Sequence, residues 1–318
     1  MEENSRVYVA GGQTLIGAAI LRQLERQGYT NIVGKPGEEP DLTDAGAVND
    51  FFSRRLPEYV FVTAGKSGGI EANRKYPAEL MLDNLLIECH IIHSAYRHGA
   101  KKLLYLASSC CYPKHCPQPM RVESLLTGPL EPTNESYAVA KIAGIKLCQA
   151  YRQQYGANFI VGIPANIFGP GDKFSPEDSH VIAALIGKMY EAKTFGAPSV
   201  EIWGTGTPRR EFIFADDLAD ACLFVMREYD GAEPINPSGG TDLSIAELAE
   251  LVKEVVGYTG ELRFDPSRPD GMPLKAIDSS RLIAMGWRPA THFRVALTAT
   301  LNAYLQTLQE LTNARAAI

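Results

Sequence analysis

A glycine turn between an apolar strand and an amphipathic helix constrains the fold more than any other segment of this chain. The strand is predicted at residues 6–10, the turn begins at Gly11, and the helix presents Ile16, Ile20 and Leu24 on one face. Glycines in such a turn let the backbone approach a pyrophosphate, and the helix start directs its amide groups toward it. The segment is typical of the first βαβ unit of a dinucleotide-binding domain, although a tight turn in another α/β protein is an alternative.

Strand and helix signals alternate through the first half of the chain. After the first helix, segments of alternating type are predicted at residues 31–33, 45–56, 59–63, 77–98, 102–107, 137–155 and 159–163. Alternation of this kind predicts parallel strands joined by crossover helices. We therefore expect a doubly wound α/β fold, with a parallel sheet of the Rossmann type and a smaller, discontinuous C-terminal substrate lobe.

The sequence pattern changes after Asn166, and this change gives the expected division into domains. Residues 1–165 and about 212–242 are predicted to form the dinucleotide-binding domain. The remaining segments, about 166–211 and 243–318, are predicted to form the substrate lobe. A capping signal at Ser244 and Glu247 predicts the start of a helix in that lobe.

Composition excludes several classes of function. The chain has 318 residues, of which 45% are hydrophobic and 21% charged, as is typical of a soluble globular protein with a sizeable core. Its formal net charge of -6 and its lack of clustered basic and aromatic residues argue against a nucleic-acid partner. It has no hydrophobic leader and no run of about 18 apolar residues. We therefore expect no membrane contact and a cytoplasmic location.

The six cysteines do not form a disulfide scaffold in a chain of this length, and a cytoplasmic setting would keep them reduced. The cluster of Cys110, Cys111, His115 and Cys116 has the composition of a metal site. A zinc site of the finger or ribbon type needs a second ligand pair at a set spacing, and no comparable pair follows. We therefore predict no metal.

Three residues have the chemistry needed to act on a carbonyl group. Tyr137 and Lys141 lie four residues apart on a predicted helix, so both side chains share one face. An ammonium beside a phenol favours the phenolate and lets the tyrosine exchange a proton near neutral pH. Ser108, which lies upstream, can hold the same substrate oxygen. The spacing alone occurs by chance on many helices, but together with the glycine turn it predicts a catalytic site.

This Ser108/Tyr137/Lys141 arrangement resembles the short-chain dehydrogenase/reductase superfamily in its extended form. Further segments narrow the resemblance to the GDP-L-fucose synthase family, over nearly the whole chain. They are residues 66–73, 108–114, 134–137, 166–174, 179–182, 203–217 and 268–275. The resemblance implies epimerisation at C3 and C5 of GDP-4-keto-6-deoxy-D-mannose, followed by reduction of the C4 ketone with NADPH. It also implies a homodimer and a substrate lobe that binds the sugar nucleotide.

The resemblance assigns the base and the acid of the epimerisation to Cys110 and His180. Hydrogens beside a ketone become removable when donors hold the enolate oxygen, and Ser108 and Tyr137 would be those donors. In the reduction, Tyr137 would donate a proton to the C4 oxygen, while Lys141 would lower the pKa of the phenol and hold the nicotinamide ribose. Sugar-nucleotide dehydratases of the superfamily carry an acidic residue at the position of Cys110, so a 4,6-dehydratase is disfavoured. Taken alone, Cys110 would be a buried filler and His180 a solvent-facing helix start.

The resemblance also implies two ligand sites. The cofactor site comprises Gly11, Gln13, Thr14, Leu15, Ile16, Gly17, Lys35, Asp41, Thr63, Ala64, Gly65 and Lys141. The substrate site comprises Asn166, Trp203, Arg210 and Lys275. In this site Trp203 would stack on the guanine or fill the lobe, and Arg210 and Lys275 would contact the diphosphate.

Two departures from the family pattern affect the cofactor site. Thr14 replaces the middle glycine of the turn, so it adds a Cβ and a hydroxyl where the pyrophosphate would approach. Gln13, Lys35 and Gly37 occupy places where family members carry arginines that clasp the 2′-phosphate of NADPH. Because Lys35 keeps a positive charge and no acidic residue directly follows the second strand, NADP is the expected cofactor.

Two other functions are compatible with these motifs. A relative with only the reductase or only the epimerase activity could act on another 4-keto sugar nucleotide, such as a heptose, because the sugar pocket is not legible from sequence. A non-catalytic regulator that binds NADPH would need the glycine turn but not the acid and base residues. The presence of all five catalytic candidates disfavours the regulator.

Overall fold

A parallel sheet lies at the centre of the first lobe. The computed structural model describes residues 1–174, 179–268 and 270–316. The sheet contains β1 (Val7–Ala10), β2 (Ile32–Val33), β3 (Tyr59–Val62), β4 (Lys102–Leu106) and β5 (Phe159–Gly162), in the order β2-β1-β3-β4-β5. All residues of β1, β4 and β5 are buried, as expected for parallel strands that are covered on both faces.

Helices cover both faces of this sheet. In chain order, the helices are α1 (Leu15–Arg26), α2 (Ala45–Arg55), α3 (Ile70–Lys75), α4 (Pro77–Arg97), α5 (Glu135–Tyr155), α6 (Val181–Phe195), α7 (Ala215–Glu228), α8 (Ile245–Val256), α9 (Ser280–Ala284) and α10 (Phe293–Ala316). Helix α1 packs against α7, whereas α4 packs against α2 and α5. The two groups form the outer layers of an α/β/α lobe. The predicted doubly wound α/β fold is therefore confirmed.

The second lobe is built around smaller sheets. Its strands are β6 (Asn166–Phe168), β7 (Ser199–Trp203), β8 (Arg209–Phe214), β9 (Asp242–Ser244), β10 (Glu261–Asp265) and β11 (Leu274–Lys275). Strand β8 pairs in parallel with β6 and β11 and antiparallel with β9, while β7 pairs in parallel with β10. Helices α6 and α10 pack against α8. They enclose a separate hydrophobic core that includes Phe168, Leu248 and Leu297.

The first hydrophobic core extends into a late segment of the chain. It combines the residues of the five-stranded sheet and α7 with Ile277, Leu282 and Trp287. Trp287 Nε1 donates a hydrogen bond to Asp220 Oδ2 at 2.9 Å, and this bond fixes the late segment to α7. The division of the chain at residue 243 stays a prediction, and these contacts favour a first lobe that also includes residues 277–287.

The start of α8 has the capping geometry that its sequence predicts. Ser244 Oγ accepts a hydrogen bond from Glu247 N at 3.1 Å, and Glu247 Oε2 accepts one from Ser244 N at 2.8 Å. The two bonds satisfy amides that have no partner inside the helix, which fixes where α8 begins. Among the described helices, none has both the length and the apolar character needed to cross a membrane.

Candidate active site

The candidate site lies at the carboxyl ends of the parallel strands, beside the point where the strand order reverses between β1 and β3. Ligands of open α/β sheets bind in the crevice at such a point. Gly11 follows β1 with a φ of +82°, and a Cβ there would lie 2.6 Å from Ala64 Cα. A Cβ at Gly17 would lie 2.0 Å from the carbonyl oxygen of Gly11. Both glycines are therefore required for the close approach of the turn, α1 and the end of β3.

Thr14 occupies the middle position of the turn without backbone strain. Its φ of -73° is ordinary for any residue. The hydroxyl donates to the carbonyl oxygen of Gly11 at 2.8 Å and accepts from Gly17 N at 3.0 Å, so it caps α1. It also lies 3.3 Å from Thr63 Oγ1. The hydroxyl therefore points into the turn, and Thr14 and Thr63 together connect the ends of β1 and β3.

The loop after β2 contacts the same turn through a residue that the sequence patterns did not indicate. Glu39 Oε1 accepts hydrogen bonds from Tyr8 Oη at 2.9 Å and from Gly11 N at 2.7 Å. Burial raises the pKa of Glu39. Lys35 is exposed on this loop, and Asp41 accepts hydrogen bonds from Thr43, which lower its pKa. Glu39 therefore anchors the segment that carries Lys35 and Asp41 beside the glycine turn.

Ser108 and Tyr137 meet at the carboxyl end of β4. Ser108 directly precedes the short 3-10 helix Ser109–Cys111, and its hydroxyl accepts from Cys110 N at 3.2 Å. The same hydroxyl hydrogen-bonds the phenol of Tyr137. Burial raises the pKa of Tyr137, and the neighbouring thiols of Cys110 and Cys111 raise it further. Tyr137 is therefore a neutral phenol at neutral pH, in the state required of a proton donor.

Lys141 makes a buried ion pair that the sequence patterns did not indicate. Its Nζ lies 2.9 Å from Glu88 Oε1, and the two residues are only 4% and 1% exposed. The ammonium also lies 5.1 Å from the ring centroid of Tyr105. We expected Lys141 to lower the pKa of Tyr137, whereas the structure pairs its charge with the Glu88 carboxylate and the pKa of Tyr137 is raised.

The spacing of polar residues on α4 was the available signal for this pair. Asn84 and Glu88 lie four residues apart and share the buried face of the helix. A Cβ added at Gly65 would lie 2.5 Å from Asn84 Oδ1 and 3.3 Å from Lys141 Nζ. The predicted cofactor segment at Gly65 therefore lies directly against Lys141.

Gly144 provides the space that the Glu88 pair needs, and replacing it should destabilise the fold. A Cβ at Gly144 would lie 2.4 Å from Tyr105 Cζ and 2.7 Å from Glu88 Oε2. We expect Gly144→Ala to lower the free energy of unfolding by about 1–3 kcal/mol, because the core must shift to admit the methyl group. Denaturant unfolding followed by circular dichroism measures this change.

Gly187→Ala is the matched control, since it makes the same change in the middle of α6. A Cβ there would have its nearest contact at 3.7 Å, the Phe174 carbonyl oxygen. This variant should gain up to about 1 kcal/mol from the higher helix propensity of alanine. Equal stability changes in the two variants would show that the space beside Glu88 is not tightly packed.

Cys110 lies among polar groups and a cation. Its Sγ accepts from Asn134 Nδ2 at 3.0 Å and from Lys275 Nζ at 3.4 Å. Burial alone would raise the pKa of this thiol, but the Lys275 charge and the hydrogen bonds outweigh burial, so the pKa is lowered. His180 directly precedes α6, and desolvation, Lys275 and Lys173 lower its pKa. Lys275 is therefore close enough to act electrostatically on both predicted epimerase residues.

The predicted substrate residues are distributed over the second lobe. Trp203 is 43% exposed, and Arg268 Cζ and Lys188 Nζ lie 4.7 Å and 5.3 Å from the centroid of its ring. The sequence patterns did not indicate Lys188. Arg210 donates to the carbonyl oxygens of Met272 at 2.5 Å and Asp270 at 3.1 Å.

Asn166 and Lys275 make contacts other than the expected ones. Asn166 Nδ2 donates to the carbonyl oxygen of Glu211 at 2.9 Å, which joins β6 to β8. Lys275 faces Cys110 as described above. Within residues 1–174, 179–268 and 270–316, no group of three or more His, Cys, Asp and Glu side chains is arranged to hold a metal ion.

Comparison with known proteins defines the family. The model of the NAD dependent epimerase/dehydratase family matches residues 7–237. GDP-L-fucose synthase 1 of Arabidopsis thaliana is 52% identical over 305 residues, which cover 96% of this chain and 94% of the relative. A solved GDP-6-OMe-4-keto-L-xylo-heptose reductase from C. jejuni has a TM-score of 0.91 at 34% identity, covering 96% and 99% of the two chains. A GDP-L-fucose synthetase from Naegleria fowleri, bound to NADP, has a TM-score of 0.89 at 28% identity, covering 97% and 96%.

The fold, the clustered serine, tyrosine and lysine, and the family model together define an enzyme of the extended short-chain dehydrogenase/reductase class. The 52% identity over nearly the full length of both chains then narrows the class, and the chain belongs to the GDP-L-fucose synthase family. The resemblance inferred from the sequence motifs is confirmed. The roles of the individual site residues stay predictions.

Proposed function

We propose that this chain converts GDP-4-keto-6-deoxy-D-mannose to GDP-L-fucose, by epimerisation at C3 and C5 and NADPH-dependent reduction at C4. The observation that carries the proposal is the position of Cys110, whose thiol contacts Lys275 and whose backbone amide donates a hydrogen bond to Ser108 of the Ser108/Tyr137 pair. A reductase needs only the serine, tyrosine and lysine. The activated thiol beside them supports an additional proton transfer at carbon, and family membership supports the substrate class.

The residues present fit a nicotinamide dinucleotide. The contacts at Gly11 and Gly17 leave no room for side chains at those two positions, and the Thr14 hydroxyl is turned toward them, so the backbone and the start of α1 are open to a pyrophosphate. Lys35 would contact the 2′-phosphate, and Lys141 the nicotinamide ribose. When bound, NADPH supplies the hydride for reduction. The NADP-bound relative from Naegleria fowleri supports this choice of cofactor.

The epimerisation requires a base and an acid on opposite faces of the sugar. We assign the base to the Cys110 thiolate, which removes the proton from the carbon beside the ketone. The hydroxyl groups of Ser108 and Tyr137 stabilise the enolate oxygen that results. His180 takes up a proton from solvent and returns it to the opposite face, and its lowered pKa favours release of that proton. The same exchange at the second carbon completes the inversion, and solvent restores both protonation states.

The reduction uses the other half of the site. As hydride reaches C4, Tyr137 donates its phenolic proton to the C4 oxygen, and the ketone becomes a hydroxyl group. The raised pKa of Tyr137 ensures that the proton is present at neutral pH. Ser108 keeps the carbonyl oriented through its bond to the phenol. Lys141 lies on the same helix face as Tyr137, its charge paired with Glu88, and would hold the nicotinamide ribose beside the phenol.

The GDP group would bind over the second lobe. Trp203 offers a partly exposed ring for stacking on the guanine, and Lys188 and Arg268 near the ring supply positive charge for a phosphate. Arg210 donates to backbone carbonyl oxygens on one side and keeps further N–H groups for the diphosphate.

We also propose a homodimer and a cytoplasmic location. Large apolar side chains on α4 and α5 are exposed, namely Leu82, Tyr96, Val139 and Tyr155, and the rings of Tyr96 and Tyr155 stack at 4.4 Å. An exposed apolar face on two adjacent helices suits a second copy of the chain. Thiolate chemistry at Cys110 suits a reducing compartment. Light scattering of the purified chain tests the dimer, and cell fractionation tests the location.

Product analysis tests the proposed function directly. The purified chain is incubated with GDP-4-keto-6-deoxy-D-mannose and NADPH, and the sugar is identified by NMR. We expect GDP-L-fucose, with one NADPH oxidised for each molecule formed. A 4-keto GDP-heptose serves as the comparison substrate. Faster turnover of the heptose, without inversion of any carbon, would instead identify a reductase like the C. jejuni neighbour.

The choice of NADPH over NADH should depend on Lys35. This lysine is exposed on the loop that Glu39 anchors beside the glycine turn. We expect Lys35→Ala to weaken NADPH binding by about 1.5–3 kcal/mol, the value of a lost charged hydrogen bond. Fluorescence titration with each cofactor measures the effect, and NADH serves as the control because it lacks the 2′-phosphate. Equal weakening of both cofactors would place the phosphate site elsewhere.

A further inference from the structure

Lys275 makes a contact that its expected role does not explain. A lysine that serves only as a diphosphate ligand would point its ammonium toward the open GDP site, but Lys275 Nζ lies 3.4 Å from the sulfur of Cys110. We propose that Lys275, together with Asn134, keeps Cys110 ionised as a thiolate, and is a positioning residue of the epimerisation rather than chiefly a ligand of the diphosphate. The proposal rests on the proposed function, because it concerns the base of that reaction.

The surroundings of Cys110 differ from those of the neighbouring thiol. Cys111 is wholly buried, and its sulfur donates to the carbonyl oxygen of Ala138 at 3.9 Å. Burial raises the pKa of Cys111 to about 12. Cys110 instead accepts from a cation and from an amide, and both interactions favour the charged form of sulfur. Two adjacent cysteines therefore have opposite ionisation tendencies.

The remaining cysteines follow the behaviour of Cys111. Burial raises the pKa of every other described cysteine, namely Cys89, Cys111, Cys116, Cys148 and Cys222. The pKa of Cys110 is lowered, and the charge of Lys275 is the largest of the influences that lower it. Among the described cysteines, the lowered thiol pKa is therefore confined to the residue that follows Ser108 by two positions.

The backbone of Lys275 is fixed by several contacts, so its ammonium has a defined position. Lys275 pairs with Arg210 in the register between β11 and β8. The next two amides donate to Gln118 Oε1 at 3.1 Å and to Glu211 Oε2 at 2.8 Å. These contacts fix the backbone from which the side chain reaches Cys110 Sγ.

Other charged and titratable groups also face Cys110. Arg210 on β8 interacts with it electrostatically, but its guanidinium donates to the carbonyl oxygens of Met272 and Asp270. Tyr137 on α5 and the adjacent Cys111 face it as neutral groups whose own pKa is raised. Lys275 is therefore the cation in direct contact with the sulfur among the described residues.

The same ammonium influences the acid partner. Lys275 contributes to the lowered pKa of His180. A cation near both a thiol and an imidazole favours loss of a proton from each. Removing the charge should therefore raise the pKa of both residues, and this joint change distinguishes an electrostatic role from a merely structural one.

The experiment measures the thiol itself. Ultraviolet absorbance of thiolate is followed against pH for wild type, Cys110→Ser and Lys275→Met, and the difference between wild type and Cys110→Ser gives the titration of Cys110. Because Cys110 is absent from the serine variant, the subtraction removes the other five thiols. We expect Lys275→Met to raise the pKa of Cys110 by about one to three pH units, as for a lost charge pair.

Exchange kinetics provide the second measurement. At neutral pH, the rate of deuterium exchange at C3 and C5 in Lys275→Met should fall roughly tenfold for each pH unit by which the pKa of Cys110 rises. The pH profile of exchange should shift to higher pH by the same amount. Lys275→Arg should restore most of the low thiol pKa. Asn134→Ala should raise the pKa of Cys110 by a smaller amount. This variant replaces Lys275→Met in the experiment if Lys275→Met does not fold.

Each result has a clear meaning. An unchanged Cys110 titration with weaker GDP binding in Lys275→Met would overturn the proposal and make Lys275 a diphosphate ligand. A low Cys110 pKa that depends on Lys275, in an enzyme that exchanges no deuterium, would support the thiolate pair and contradict the proposed epimerisation. The thiol titration needs no turnover, so the two failures are distinguishable.

Discussion

Replacing Tyr137 by phenylalanine should slow reduction of the C4 ketone by about 10²- to 10⁴-fold, the usual cost of losing one general acid. The variant removes the phenolic hydroxyl that hydrogen-bonds Ser108 and leaves the half-buried ring in place. Since GDP would bind over the second lobe, its affinity should stay close to that of wild type. Stopped-flow loss of NADPH absorbance measures reduction, and calorimetry with GDP measures binding.

Tyr155→Phe is the matched control for this prediction. Tyr155 is the last residue of the same helix, is 48% exposed, and accepts a hydrogen bond from Gln154. The control should reduce the ketone at the wild-type rate. If Tyr137→Phe also oxidised NADPH at nearly the wild-type rate, Tyr137 would have no part in the chemistry.

Replacing Cys110 by serine should suppress proton exchange at C3 and C5 by about 10²- to 10⁴-fold, because a hydroxyl group is a far weaker base than a thiolate. Reduction by Tyr137 should continue, since it does not require the thiol. The sugar formed would then retain one or both of its original configurations. NMR of the product in deuterated water reports both the exchange and the configuration.

Two further variants complete this test. Cys89→Ser changes an exposed cysteine on α4 and should leave exchange unchanged. His180→Gln should suppress exchange as Cys110→Ser does, because each inversion needs a base and an acid. Full exchange in His180→Gln would remove His180 from the mechanism and assign the acid to another group.

Local patterns predicted the parts of the fold that depend on neighbouring residues. The glycine turn could be predicted because Gly11 precedes a helix with an apolar face and Gly17 lies in the first turn of that helix. The shared helix face of Tyr137 and Lys141 could be predicted because the two residues are about one helical turn apart. The capping box at Ser244 could be predicted for the same reason, since its two residues, Ser244 and Glu247, lie within four positions of each other.

The contacts that complete the site join segments that are far apart in the sequence, so local sequence patterns do not predict them. Lys275 and Cys110 are 165 residues apart in sequence. Glu88 and Lys141 meet because α4 and α5 pack together, and Glu39 reaches the glycine turn from a loop without periodicity. The family resemblance assigned Lys275 to the diphosphate, and only the packing of β11 against β8 shows its position beside the thiol.

Thr14 shows how a departure from a motif can be structurally neutral. The sequence suggested that its Cβ and hydroxyl would intrude where a pyrophosphate approaches. The structure turns the hydroxyl toward Gly11 and Gly17, where it caps α1. The backbone angles of this position are ordinary for a threonine. The turn therefore keeps its shape with a side chain at the middle position.

The most direct test of a combined epimerase and reductase is a single turnover of the wild type in deuterated water. The enzyme, in excess over GDP-4-keto-6-deoxy-D-mannose, is mixed with NADPH, and the product is examined by NMR and mass spectrometry. We predict GDP-L-fucose that carries deuterium at both C3 and C5, with one NADPH oxidised for each product molecule. A reduced sugar with no deuterium at either carbon would contradict the epimerase assignment and identify the chain as a reductase alone.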